Sequence, residues 1–497
     1  MRYGQINHWR KRDHRAILKR IARRAMLERG LLPDFSREAI AELNTIDFPA
    51  KAPEGEVRDL RGLPWASIDN DDSRDLDQLT SAEMLDRGDV KILAAISDVD
   101  ALVKRESPLD EHARHNTTSV YTPAIIFPML PEKLSAGLTS LNLNEDRLAI
   151  VIEMTVGADG SVRDPDIYEA VVHNHAKLAY NSLAAWLEGK GAVPAPVAAV
   201  SGLEENLRLQ DETAQKLKRL RHKHGALSLQ TVEASPRFEE DVIIDLEAKK
   251  INRANGLIED FMIAANSMTS QYLASKGLPS LRRVVRTPLR WDRIVELAME
   301  SGYSLPRSPD AVSLEHFLKE AQSKDPSRFP DLCLSVIKLL GPGEYVADAP
   351  GGKPPDGHFS LAVRGYSHST APNRRFPDLI TQRLLKTVFM KTPGGPYSIS
   401  DLEDLARHCT EEENAAKKVE RQVGKSAAAL LFESRIGQRF DSIVTGAGPK
   451  GTWVRLLHPP VEGKVVAGYQ GLDVGHRVQV RLVHVDVEAG FIDFERT

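Results

Sequence analysis

Cysteine is scarce in this chain of 497 residues, and its scarcity limits the kinds of site that can be built. The two cysteines, Cys333 and Cys409, lie far apart and form no C-x-x-C pair, which argues against a disulfide framework or a zinc site. No apolar run approaches the roughly 20 residues of a membrane-spanning helix, and residues 1–24 are basic without the apolar core of a signal peptide. We therefore expect a cytoplasmic protein that has no membrane partner.

A strong excess of one charge is also lacking. The formal net charge is -4 and the sequence pI is near 6.5, so the chain is not a generically basic nucleic-acid binder. With 41% hydrophobic and 27% charged residues, its composition is ordinary for a soluble protein. The length predicts roughly two to four domains, with enough residues to bury a large core.

What the chain does have is a dense acidic segment, which reads I-D-N-D-D-S-R-D-L-D-Q-L between Ile68 and Leu79. So many carboxylates cannot all ionise in a folded site unless a cation neutralises them. Oxygen ligands of this kind select Mg²⁺ or Mn²⁺, which pair carboxylates with substrate phosphates. The segment therefore favours phosphoryl chemistry, and the alternative is a solvated acidic loop.

The order of the acidic residues is more specific than their number. It resembles the I-D-x-x-x-x-x-D-x-D-D signature of the ribonuclease II and ribonuclease R family, the RNB exoribonucleases. Asp69, Asp75 and Asp77 match three of the four family carboxylates without a gap, and Gln78 occupies the fourth position. Asp75 and Asp77 are two residues apart, so in an extended segment they point to the same side.

Four further segments resemble family blocks in the same order. The last, G-Y-S-H-S-T-A-P-N-R-R-F-P-D-L, is similar to the family's Y-x-H-x-T-S-P-I-R-R-Y-x-D-L. The four segments are 95–100 (A-I-S-D-V-D), 117–148 (with S-V-Y, P-M-L-P and S-L-N), 257–266 (L-I-E-D-F-M-I-A-A-N) and 365–379. Together the blocks cover roughly residues 60–395, and their joint occurrence is far more specific than any one of them.

The resemblance implies a processive hydrolytic 3′-to-5′ exoribonuclease that takes the 3′ ends of single-stranded RNA and releases nucleoside 5′-monophosphates. It implies Mg²⁺ as the cofactor, with Mn²⁺ as a second option, held by Asp69, Asp75 and Asp77 and more weakly by the amide oxygen of Gln78. No obligate protein partner is indicated.

Two further residues take roles from the resemblance. Arg374 stands at the position of the catalytic arginine, where a guanidinium can fork onto the scissile phosphate, and neighbouring Arg375 is interpreted as structural. Tyr121 stands at the position of a tyrosine that stacks on the terminal base, and the alternative is a core tyrosine on a strand.

Gln78 keeps a second functional class open. With an amide in place of a carboxylate, the chain could be a catalytically inactive RNA-binding protein that kept the RNB fold. A third and weaker hypothesis is a DNA-binding regulator built on the N-terminal helices, and it leaves the central resemblance without a role.

The pattern along the chain predicts an α+β multidomain protein. Residues 1–55 are basic, with apolar residues at helical spacing up to a stop at Gly30 and a second short helix after Ser36. They predict a helix-turn-helix-like module that contacts RNA electrostatically, or else a solvated helical hairpin. The family usually has cold-shock-like β-barrels ahead of the catalytic domain, and these helical residues cannot build two of them.

Residues 56–400 are the expected RNB catalytic domain, a large mixed α/β unit, and 401–436 are a connecting helix. From 437 to 497, short apolar alternations broken by Gly and Pro predict a small β-barrel that resembles an S1-like OB-fold RNA-binding domain. Trp453 and Arg455 are its candidate RNA contacts, through stacking and phosphate binding, and the alternative for Trp453 is a core position.

Overall fold

The computed structural model describes residues 13–52, 57–231, 234–248, 251–352, 355–389, 395–448 and 451–497. The strands are, in chain order, β1 (Arg58–Asp59), β2 (Ala66–Asp69), β3 (Gln78–Met84), β4 (Val90–Ser97), β5 (Val120–Tyr121), β6 (Ile126–Phe127), β7 (Asp146–Val156), β8 (Val162–His173), β9 (Ala176–Ala179), β10 (Ala234–Glu239), β11 (Val242–Ala248), β12 (Ser280–Val284), β13 (Glu344–Asp348), β14 (Arg439–Gly448), β15 (Gly451–Leu456), β16 (Glu462–Ala467), β17 (Arg477–Asp486) and β18 (Phe491–Arg496).

The helices lie singly or in runs between groups of these strands. They are α1 (His14–Glu28), α2 (Arg37–Leu43), α3 (Pro108–Asn116), α4 (Tyr180–Leu187), α5 (Ala195–Ala198), α6 (Leu203–Lys223), α7 (Arg253–Ser275), α8 (Trp291–Glu300), α9 (Ala311–Lys324), α10 (Phe329–Leu340), α11 (Phe376–Phe389) and α12 (Ile399–Phe432). Within the described ranges, no helix combines the length and the apolarity needed to cross a membrane.

The centre of the fold is a mixed seven-stranded sheet in the order β1-β8-β7-β4-β3-β2-β9. Its strands are rich in β-branched residues, and alternate residues bury on opposite faces. One face packs with α6, α7 and α11 in the largest core, and the other carries a smaller cluster around Trp65 and Leu79. Because β2 and β3 are antiparallel, the end of β2 and the start of β3 meet at the same edge of the sheet.

The last part of the chain closes into a barrel in the order β14-β15-β16-β18-β17. The long helix α12 leads into it, as the sequence predicts, and begins with a capping box between Ser398 and Asp401. The α+β multidomain architecture with a C-terminal barrel is thus confirmed. The boundaries at residues 55, 400 and 436 stay predictions.

The two predicted N-terminal helices are present, capped by Asp13 and Ser36. They do not share a core. The buried residues of α1 belong to the cluster formed by α12 and the barrel, whereas Ala39 and Leu43 of α2 belong to the core of the central sheet. This packing differs from a self-contained helix-turn-helix-like module, because each helix buries its apolar face against a different distant element.

Several basic residues of α1, expected to contact RNA, form ion pairs within the chain. Arg15 pairs with Asp241, Arg23 with Asp34, and Arg20 and Arg24 both pair with Glu488 in the turn between β17 and β18. Asp241 and Glu488 are distant in sequence, and Asp34 lies just beyond the basic segment, so the amino-acid pattern of residues 1–29 did not show these partners. Arg2, Arg10, Lys11 and Arg12 of this basic segment lie outside the described residues.

Candidate active site

The acidic segment forms the connection between β2 and β3. Asp69 is the last residue of β2, and Gln78 is the first residue of β3. Asp77 precedes β3 and extends its pairing with β4, because its main-chain carbonyl accepts a hydrogen bond from Ser97 N at 2.9 Å. The segment is therefore fixed at both ends, and Asp75 lies on the connection between them.

Asp77 is the most buried of these carboxylates, with 2% of its surface exposed. Its Oδ1 accepts a hydrogen bond from the main-chain N–H of Asn373 at 3.1 Å, and its Oδ2 lies 3.4 Å from Arg374 Nε. The pKa of Asp77 is raised to about 7: burial raises it most, Arg374 and the Asn373 N–H lower it, and the nearby Asp75 carboxylate raises it. A positive charge at this position would stabilise the ionised carboxylate.

Asp69 and Asp75 are electrostatically linked to the same site. Burial raises the pKa of Asp69, the Asn70 N–H and Ser73 hydroxyl hydrogen bonds lower it, and the nearby Asp75 raises it. The Asp75 carboxylate therefore raises the pKa of both Asp69 and Asp77. Across the described residues, no three His, Cys, Asp or Glu side chains converge closely enough to form a metal-binding group. The site is a set of coupled carboxylates with oxygen donors only.

Arg374 lies on the loop that precedes α11, and its main chain is held from two sides. Its carbonyl accepts hydrogen bonds from Ser119 N at 3.0 Å and from Thr118 Oγ1 at 3.1 Å. Its side chain is 42% exposed and reaches the carboxylate of Asp77. A fixed main chain with an accessible guanidinium allows Arg374 to meet an anionic ligand beside Asp77.

Arg375 has a different environment, which agrees with the structural interpretation of this residue. Its Nη2 donates to Asp378 Oδ1 at 2.7 Å, and this fully buried carboxylate also accepts from Thr370 N and Ala371 N at 2.7 and 2.8 Å. The ion pair between Arg375 and Asp378 therefore stabilises the loop that carries Arg374.

Tyr121 lies on the short strand β5, and its side chain is not in the core. The residue is 41% exposed, its hydroxyl donates to Asp75 Oδ2 at 3.4 Å, and its N–H donates to Glu420 Oε1 of α12 at 2.9 Å. The ring thus stands at the rim of the acidic site, where a base could stack on it.

Tyr180 is a residue of this site that the sequence analysis missed. It follows β9, which pairs in parallel with β2 so that Ala179 lies opposite Asp69. Burial raises the pKa of Tyr180, with Asp69 raising it and Arg374 lowering it, so both charged groups lie within electrostatic range. The sequence carries no signal for this proximity, because it arises from strand pairing between distant segments.

Gln78 is half-buried at the start of β3, and its main chain pairs with Ile96. Among the described residues, no hydrogen bond joins its amide to the carboxylate of Asp69, Asp75 or Asp77. Its role as a weak metal ligand stays a prediction.

The two barrel residues predicted to contact RNA, Trp453 and Arg455, lie in different environments. Trp453 is half-buried on β15 and lies opposite Gly446 and Lys464 on the neighbouring strands. Arg455 instead forms an ion pair with Asp331 of α10, with Nη2 and Oδ2 2.8 Å apart. The Arg455 guanidinium is thus engaged within the chain, where it joins the barrel to α10, and its contact with RNA stays a prediction.

Comparison with known proteins gives consistent matches over the same regions. Residues 57–391 match the RNB domain, and residues 438–497 match the RNase II-type exonuclease C-terminal S1 domain. Ribonuclease R of Vibrio parahaemolyticus is 31% identical over 489 residues, which are 90% of this chain and 57% of that protein. Ribonuclease R of Escherichia coli is 31% identical over 486 residues, 90% of this chain and 58% of that protein. The chain thus spans less than three fifths of the length of these relatives.

The fold is similar to that of the apo form of Mycoplasma genitalium RNase R, with a TM-score of 0.87 and 22% identity over 98% of this chain and 78% of that chain. At this identity the likeness concerns the fold. The RNB match covers more than half of the 497 residues and includes the acidic segment and the Arg374 loop. This chain therefore belongs to the RNB-domain family and ends in an RNase II-type S1 domain.

Proposed function

We propose that this protein is a processive hydrolytic 3′-to-5′ exoribonuclease that degrades single-stranded RNA to nucleoside 5′-monophosphates. The observation that carries the proposal is the meeting of Asp77 with Arg374 at the edge of the sheet where β2 also ends. A buried carboxylate beside an accessible guanidinium combines a site for a cation with a site for a phosphate. The names of the curated relatives, Ribonuclease R, support RNA as the substrate.

Asp69, Asp75 and Asp77 are the residues that would hold a divalent cation, Mg²⁺ or Mn²⁺. Their fit is one of donor chemistry, because the described side chains do not form a close cluster of three. All donors are oxygens, and the Asp75 carboxylate raises the pKa of both Asp69 and Asp77, a repulsion that a cation relieves. RNB-domain ribonucleases are metal-dependent hydrolases. When bound, the cation supplies charge neutralisation and an activated water.

Arg374 is the residue proposed to bind the scissile phosphate. Its guanidinium can donate two parallel hydrogen bonds to phosphate oxygens as they gain charge. Its carbonyl is fixed by Ser119 and Thr118, so only the side chain has to turn when substrate arrives. This makes Arg374 a group that acts mainly in the transition state.

Tyr121 and the barrel account for RNA binding without sequence preference. The ring of Tyr121, at the rim of the acidic site, is proposed to stack on the last base, a contact worth about 1 to 3 kcal/mol. Trp453 is proposed to stack on a base further from the cleavage site. Phosphate and stacking contacts carry no base code, so the enzyme should accept many sequences.

The alternative, an inactive RNB-fold RNA-binding protein, has less support. Gln78 is the one departure in the acidic signature, and the other three carboxylates and Arg374 are all present. Asp77 and Arg374 also lie next to each other, as an active site requires.

The test is degradation of one single-stranded RNA, labelled at either end, with Mg²⁺ or Mn²⁺. The 3′-labelled RNA should release labelled nucleoside 5′-monophosphate at once, and the 5′-labelled RNA should give one short end product without long intermediates. Circular RNA of the same sequence is the matched control, because it has no 3′ end and should resist. Cleavage of the circle would show an endonuclease, and binding without mononucleotide release would favour the inactive alternative.

A further inference from the structure

Asn373, the residue before Arg374, is a buried polar residue. It is 1% exposed, and the family pattern that the segment resembles has isoleucine there, in P-I-R-R against P-N-R-R. A buried amide is costly unless both its ends are hydrogen-bonded. Both the oxygen and the nitrogen of the Asn373 side-chain amide form hydrogen bonds.

The Asn373 side chain connects two separate segments. Its Oδ1 accepts a hydrogen bond from Thr139 Oγ1 at 2.5 Å, and its Nδ2 donates to Ser97 Oγ at 3.0 Å. Ser97 ends β4, and Thr139 is buried in the connection before β7. The loop that carries Arg374 is thereby tied to the central sheet and to the segment after Tyr121.

Asn373 and Ser97 also hold Asp77 from two directions. The main-chain N–H of Asn373 donates to Asp77 Oδ1 at 3.1 Å, and the N–H of Ser97 donates to the Asp77 carbonyl at 2.9 Å. The Nδ2–Ser97 hydrogen bond closes this arrangement, because it links the two residues that contact Asp77. A shift of Asn373 would move the donor to Asp77 together with the main chain of Arg374.

We propose that the Asn373 side chain is a positioning residue, which fixes the carboxylate of Asp77 and the guanidinium of Arg374 relative to each other. This inference rests on the proposed function of the site. Asn373 acts through its neighbours, since its buried amide bonds to Thr139 through the oxygen and to Ser97 through the nitrogen. Its loss should therefore lower turnover and leave substrate capture, which depends on stacking and the barrel, nearly unchanged.

The first test is Asn373→Leu, which keeps the side-chain size and removes both hydrogen bonds. We expect kcat on single-stranded RNA to fall by about 100-fold, since a displacement of about 1 Å can cost that much, while KM changes by less than about threefold. Asn174→Leu is the matched control, because Asn174 is equally buried and its Nδ2 donates to Ser67 Oγ and the Leu141 carbonyl. That control should lower the Tm while kcat stays within about threefold of wild type.

The second test places Asn373→Leu in an Arg374→Ala background. If Asn373 acts by positioning Arg374, the double variant should have a kcat within about threefold of Arg374→Ala alone, because residues that act as a unit are not additive. Multiplied losses would indicate a general folding defect and overturn the proposal. Should Asn373→Leu fail to fold, Thr139→Val removes one hydrogen bond from the same amide, and we expect about a tenfold loss of kcat.

The outcomes separate this inference from the function on which it rests. Suppose that the wild type degrades RNA and that kcat is unchanged in Asn373→Leu or, if that variant does not fold, in Thr139→Val. This result overturns the positioning role and leaves the exoribonuclease proposal in place. Absence of mononucleotide release by the wild type overturns both. A rise in KM equal to the fall in kcat would make Asn373 a substrate-binding residue instead.

Discussion

Arg374 Nε lies 3.4 Å from Asp77 Oδ2, although the two residues come from distant segments of the chain. Asp77 is buried at the edge of the sheet, whereas the Arg374 side chain is 42% exposed. The carboxylate therefore holds the guanidinium beside the acidic site while leaving it accessible to an anionic ligand.

The two adjacent arginines should have separable effects. Arg374→Ala should lower kcat by about 100- to 1000-fold with a much smaller change in RNA affinity, because a donor aimed at developing charge acts in the transition state. Arg375→Ala should instead destabilise the fold, on the order of 3 kcal/mol, since it leaves the buried Asp378 without its partner. Single-turnover kinetics and denaturant unfolding of both variants test this. Equal losses of kcat and affinity in Arg374→Ala would make it a binding residue.

Tyr121 makes two kinds of contact that a pair of variants can separate. Tyr121→Ala should lengthen the final undegraded fragment, because losing a base stack weakens the grip on short RNA. Tyr121→Phe keeps the ring and loses only the hydroxyl contact with Asp75, so its end product should match that of the wild type. End-product lengths on a sequencing gel decide the question. If the Phe variant shows the longer fragment too, the hydroxyl rather than the ring governs product length.

Gln78 should make the enzyme depend on a higher metal concentration. A neutral amide is a poorer Mg²⁺ ligand than a carboxylate, so Mn²⁺ should support activity better, and Gln78→Asp should lower the concentration for half-maximal rate. The competing explanation is that Asp71 or Asp72, both exposed, replaces the missing ligand. Metal titrations of wild type, Gln78→Asp and Asp72→Asn discriminate between the two. A shift in Asp72→Asn alone would support the replacement by Asp72.

Substitution of Arg455 should lower stability, whereas substitution of Trp453 should weaken RNA binding. Arg455→Met should lower the free energy of unfolding by on the order of 3 kcal/mol, because it leaves Asp331 of α10 buried without its partner. Trp453→Ala should weaken RNA binding by about 1 to 3 kcal/mol with little change in stability. Unfolding curves and binding of a non-cleaved RNA measure the two effects. Strong loss of RNA binding in Arg455→Met at unchanged stability would instead support the predicted RNA contact of Arg455.

The sequence predicted the features that are determined by neighbouring residues in the chain. The acidic segment, the P-N-R-R loop, the short helix after Ser36 and the alternation of the barrel strands each depend on a few neighbouring residues. Contacts between distant segments could not be predicted in this way. The ion pair of Arg455 with Asp331, the burial of α1 against α12 and the barrel, and the approach of Tyr180 to Asp69 all depend on tertiary packing.

Asn373 shows the same limit within a motif that the sequence did reveal. Its position beside Arg374 was visible, but an asparagine in a loop is ordinarily a turn residue. Only the packing of Ser97 and Thr139 around it shows that its amide joins the loop to the sheet.

The most direct measurement is hydrolysis and RNA binding by Asp77→Asn, compared side by side with the wild type. The substitution keeps the shape of the side chain and an oxygen for the Asn373 N–H, but it removes the charge beside Arg374. We expect release of mononucleotides from 3′-labelled RNA to be abolished while the dissociation constant for RNA stays within about threefold of wild type. Degradation at a rate near that of the wild type would contradict the assignment of Asp77 to the centre of the site.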